Sequence, residues 1–175
     1  MEYAECSKIP LMTIADYLWN PTAYNPDESL KNAHREILGE KADLFKYFAD
    51  HLGVSCLSKY SSAFMSEKLS HINFLLSSGD KESALKEFKE YNSNMRNCLT
   101  MIEDTSVELF KEMAKWVKKF SMCCDLLDAI CTQWENPSED NYNILKDLTE
   151  KYNSDGTILT GFCLREAAEK TLNLY

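Results

Sequence analysis

Turn-forming residues are scarce in this chain: 5 glycines and 4 prolines in 175 residues. At average usage a chain of that length carries about 12 Gly and about 9 Pro. Sandwiches, barrels and propellers need many tight turns, and tight turns need these residues. Few turns mean few, long elements, which points to helices. A complete eight-fold β/α barrel, at ~250 residues, does not fit.

The apolar residues repeat with a helical period. Val107, Phe110, Ala114, Val117, Cys124, Leu127, Cys131 and Trp134 recur at spacings of three, four or seven, as one stripe about eight turns long. Phe64, Leu69, Ile72, Leu75 and Leu76 form a second stripe, and Leu85, Phe88, Met95, Leu99 and Ile102 a third. Ile144, Leu145, Leu148 and Tyr152 form a fourth, and Phe162, Leu164, Ala168, Leu172 and Tyr175 close the chain. Gly53, Gly79 and Gly156 each follow such a run, where a left-handed residue ends a helix. Starts are marked by Pro26-Asp27-Glu28, by Asp80 as N-cap, and by Asn136 as N-cap with Pro137 at the first helical position. The expected fold is all-α: an up-and-down bundle of about five main helices over residues 26–175. Short loops favour antiparallel neighbours.

Residues 1–25 read differently. Pro10 and Pro21 fall here and Pro26 follows at once, so three of the four prolines crowd one end. Asn20-Pro21 and Asn25-Pro26 should each break a helix, because the residue before proline avoids the α region. Ile9 to Ile14 is the one brief strand candidate. The segment reads as a proline-containing junction that docks on something, not as a bundle helix.

The formal charge is -9. Nucleic-acid affinity rests on Lys and Arg neutralising phosphates, so nucleic acid is not an expected partner. Lys115, Lys118 and Lys119 form a local basic run, read as a solvated helix face beside Glu108 and Glu112. No stretch approaches the ~20 apolar residues of a membrane span. The opening MEYAECSKIP has acids where an export signal has Lys or Arg, so no such signal is expected in this chain. The seven cysteines show no CxxC pair and no zinc spacing; they read as reduced, buried thiols.

Catalytic patterns are missing. There is no GxGxxG, GxxxxGK[ST], HExxH, ExxH or GxSxG. His34, His51 and His71 fall on three different elements, as surface or boundary residues. The acid pairs Asp27-Glu28, Glu103-Asp104 and Glu139-Asp140 read as helix-terminus features, favoured by the macrodipole, rather than as a glycosidase pair across a cleft. No cofactor, metal or catalytic residue is expected.

The run TIADYLWNPTAYNPDESL, Thr13 to Leu30, resembles a junction in family-84 glycoside hydrolases, the β-N-acetylglucosaminidases that include bacterial O-GlcNAcases and enzymes named hyaluronidases. In that family the catalytic barrel ends in a stretch like NPM-x-x-A-E-x-S-K, followed by A-D-Y-x-W-N and by Y-[ND]-P-x-x-S-[WL] opening a helical bundle. Met1 to Lys8 resembles the end of the first stretch, Ala15 to Asn20 the second, and Tyr24-Asn25-Pro26 with Ser29-Leu30 the third. The resemblance implies that residues 1–25 are a barrel-edge junction and residues 26–175 a non-catalytic bundle. It implies that Ile14, Tyr17, Leu18 and Trp19 dock between domains. The family's paired aspartates lie in the barrel, before this junction, so no catalytic residue carries over. The implied partners are that barrel and a second copy of the chain. A free-standing module binding protein or glycan is the other reading. The localisation stays open: such enzymes are commonly secreted, while unpaired thiols favour a reducing setting.

Overall fold

A computed structural model describes residues 4–52, 63–155 and 162–173, and all regular structure among them is helical. The chain runs through α1 (Ala4–Trp19), α2 (Pro26–Leu38), a 3-10 turn (Gly39–Lys41), α3 (Ala42–Leu52) and α4 (Ala63–Ser77). It continues through α5 (Lys81–Glu103), the single turn α6 (Glu108–Glu112), α7 (Ala114–Glu135), α8 (Glu139–Ser154) and α9 (Phe162–Asn173). The all-α bundle expected from the period is what forms.

The centre is α7. It packs on α5, α8 and α9, and α4 closes the ring by touching α5 and α9. Trp116, Phe120, Leu126, Leu127 and Ile130 are fully enclosed on it, with Phe88 and Met95 from α5, Ile72 from α4, Leu145 from α8 and Leu164 from α9. The remaining helices stack in series at one end. α3 sits on α4, α5 and α7, α2 on α3, and α1 on α2. Phe45 and Phe48 of α3 meet Phe110 at ring-centroid distances of 6.0 and 5.9 Å, which ties this layer to the core.

The connections follow local chemistry. After α4, the Gly79 amide donates to Leu76 O and the Asp80 amide to Leu75 O, at 3.1 and 3.0 Å, around Gly79 at φ +87. That is the two-bond stop of a helix with a left-handed residue just past its end. Asp80 then caps α5 by accepting from the Ser83 amide. Asn25 caps α2 through the Asp27 and Glu28 amides, with Pro26 at the first helical position. Gly39, at φ +55, ends α2 where the sequence reading had marked no stop. The stops expected at Gly53 and Gly156 lie outside the described residues.

Four expectations need correction. Residues 4–19 form a helix where a non-helical segment with a brief strand candidate at Ile9–Ile14 was expected; Pro10 sits inside α1, flanked by helix formers, and its carbonyl accepts from Thr13 Oγ1 at 2.9 Å. The long stripe is broken at Met113, whose carbonyl accepts from both Trp116 and Val117 amides as the chain restarts. The cap of α8 is Ser138, not Asn136: its hydroxyl accepts from the Asn141 amide, and Pro137 stays outside the helix while Asn136 O accepts from Asn141 Nδ2. Lys119 is not on a solvated face. It is 3% exposed, and its ammonium donates to Tyr152 O at 2.7 Å and lies over the Tyr152 ring. Lys115 and Lys118 are exposed as expected.

Candidate docking face

α1 offers apolar surface on two sides. Ile9 packs against the core cluster and anchors the helix inward. Leu11, Ile14 and Leu18, spaced three and four apart, share another face and stay in solvent. Ile14 is 54% exposed, Leu18 72% and Trp19, at the helix end, 90%. From Leu11 to Trp19 the single charged residue is Asp16. Tyr17, 49% exposed and three residues after Ile14, meets the Tyr24 ring edge-on at 5.3 Å. All four residues expected to dock stay exposed on α1, and Tyr17 also makes a bracing contact. Leu30 of α2, the last residue of the third motif, is also 39% exposed, though no docking role was expected for it.

The end of α1 is held by its own turn. The Asn20 amide donates to Asp16 O at 3.1 Å. The Asn20 side-chain oxygen accepts from Thr22 Oγ1 and from the Ala23 amide. Asn25 starts α2 directly afterwards, so the chain reverses and α2 lies along α1. Trp19 is thus presented from a built turn. Large apolar side chains contribute roughly 1.5–3 kcal/mol each on full burial, before the cost of association. Four of them in the open mark a face suited to a partner.

The titratable groups do other work. Cys98, Cys123, Cys124 and Cys131 are buried. Burial pushes the Cys98 thiol up to about 12 and, with Glu135 nearby, the Cys131 thiol to about 11. Neither is a thiolate nucleophile near neutral pH. Asp27-Glu28 and Glu139-Asp140 fill first turns, and Glu103-Asp104 ends α5. Among the described residues no three His, Cys, Asp or Glu side chains gather to hold a metal, and no helix is long and apolar enough to cross a membrane. Asp125 and Asp128 hold Arg96 across the α5–α7 seam, at 2.7 Å for Asp125.

Residues 1–50 match the family model described as beta-N-acetylglucosaminidase. That stretch contains all three junction motifs. The first 50 residues of the chain are thus similar to that family. A solved structure, a mutant of the Thermobaculum terrenum O-GlcNAc hydrolase, superposes on 96% of this chain with a TM-score of 0.81 at 22% identity. The match takes up 38% of that structure, so the fold seen here recurs as a minor part of a longer chain.

Proposed function

We propose that this helical domain is the non-catalytic part of a β-N-acetylglucosaminidase-like glycoside hydrolase acting on terminal N-acetylglucosamine, and that it docks on the catalytic barrel through α1. In this reading residues 1–25 form the barrel-edge junction and residues 26–175 the supporting bundle. The observation that carries it is the coincidence of two independent facts. The segment matching the family, residues 1–50, contains the exposed Leu11, Ile14, Leu18 and Trp19. The junction motifs thus coincide with a run of uncovered apolar side chains, which the single residues exposed elsewhere, such as Phe74 and Ile144, do not form.

An aryl N-acetylglucosaminide tests the non-catalytic role. The chain alone should give no turnover, and turnover by it would overturn the reading. A free-standing module that binds protein or glycan through the same face is the second reading, favoured by the exposure of Trp19. The coding sequence upstream of Met1 separates the two: a barrel with paired aspartates supports the first, and its absence the second. Without a barrel, the face also offers a second copy of the chain a contact.

A further inference from the structure

The three histidines occupy three successive helix seams. His34 of α2 lies against Phe45 of α3, ring centroids 5.7 Å apart. His51 of α3 stacks on Tyr47 at 4.0 Å and stands 5.7 Å from both Phe64 of α4 and Tyr91 of α5. His71 of α4 meets Glu87 of α5 at 3.1 Å. The first two are partly buried among rings, and the third is exposed beside a carboxylate.

We propose that α1, α2 and α3 form an acid-sensitive arm, in which protonation of His51 and His34 loosens α3 from α4 and α5, and α2 from α3, while the α4–α5–α7 core stays closed.

At His51 the Tyr47 carbonyl can only accept, so Nδ1 carries the proton of the neutral ring and acid adds one at Nε2. On its own helix Asp50 and the Tyr47 carbonyl favour the cation, and Lys46 opposes it. From α4, Glu67, Lys68 and His71 line the same groove; from α5, Tyr91 and Asn94 do. Glu87, reached by Lys68 and His71, is held below the usual carboxylate range mainly by the Lys68 hydrogen bond. The desolvation of His51 outweighs the groups that favour its charge, and its pKa lies below 6.5. His34 is lowered too, by burial first and then by Lys46, against Asp50. Around it stand Asp27, Lys31 and Arg35 of α2, Glu40 of the turn, and Asp43 and Lys46 of α3.

The sign follows. A base whose folded pKa is depressed binds its proton more tightly once its seam opens, so the open arm gains population as pH falls from 6.5 toward the folded value. Each unit of depression is worth roughly tenfold in the opening equilibrium. At the α4–α5 seam Glu87 is held below the usual carboxylate range and keeps its pair with Lys68, which favours the closed seam. The arm meets the core through α3, which lies on α4, α5 and α7, and the inference does not depend on what α1 docks to.

Hydrogen exchange of the full chain at about pH 7.5 and about pH 5, with intrinsic rates matched, reads the two regions separately. The expected result is a loss of protection in α3 that α5 and α7 do not share, abolished in His51→Phe, which keeps a ring in the seam. Equal acid loss in all helices, or an unchanged loss in His51→Phe, overturns the proposal. Should that variant not fold, titration of the wild-type imidazoles decides: values for His34 and His51 at or above 6.5 overturn it, and values below support it.

Discussion

Lys119 shows how a single side chain can defeat a pattern. Three lysines in five residues read as a wet face, yet the third is enclosed between α7 and α8. What it meets lies 33 residues away, the Tyr152 carbonyl in the last turn of α8. There its charge complements the negative helix end and its stem packs on the ring. No local spacing announces such a partner. Lys119→Ala should cost about 1–3 kcal/mol by leaving that carbonyl unpaired, read as a lower midpoint in urea. Lys119→Met keeps the apolar stem and should cost less. Burial, only partly offset by Asp155, holds the Lys119 ammonium below its ordinary 10.5. The unfolded chain then binds that proton more tightly, so this residue adds stability as pH rises from its folded value toward 10.5. Denaturation curves of the wild type should carry that alkaline gain and those of Lys119→Met should lack it. The cysteines were easier to read, because a thiol behaves as a small apolar group and Cys98, Cys124 and Cys131 lie on helix faces that turn inward.

At the scale of the element, legibility tracked how local the determining contact is. Gly79 and Asp80 stop one helix and start the next with bonds spanning three to five residues, and both were readable. So were the breaks at Asn20-Pro21 and Asn25-Pro26, between which α1 ends and α2 begins. Asn25→Ala removes the acceptor for two amides and should cost about 1 kcal/mol. In a chain of this size that is a fall of about 2–4 °C in Tm, measurable by calorimetry. Proline misled at Pro10, where one lost donor was outweighed by the helix formers on either side and by the packing of Ile9. The interruption at Met113 was hidden for the opposite reason. The apolar period runs through it unbroken, because α6 and α7 bury residues on both sides of the break, Phe110 and Trp116 among them.

For the whole molecule, the period and the shortage of turns were enough for an all-α bundle, but not for which helix lies at its centre. The stripe read on α7 covered one side, whereas Trp116, Phe120, Leu126 and Ile130 bury the rest. That depends on how many neighbours a helix receives, which is a property of the assembly. The exposure of Ile14, Leu18 and Trp19 was not legible from the period, since an exposed apolar stripe and a buried one have the same spacing. Leu18→Glu and Ile14→Glu should leave the midpoint within about 0.5 kcal/mol, as surface changes do. The same substitutions should abolish association with a catalytic barrel, or with a second copy, in size-exclusion with light scattering. Unchanged association would remove α1 from the interface.

The order of packing also has a mechanical meaning. A load applied at the N-terminus reaches the seams of α1 on α2, α2 on α3, and α3 on the core one after another. Each can yield before the next is stressed, as a zip opens. A load carried across α5 and α7 pulls instead on a long antiparallel contact tied by Arg96, which must shear all at once. The molecule is therefore anisotropic under tension, compliant at the end that bears Trp19 and stiff through its middle.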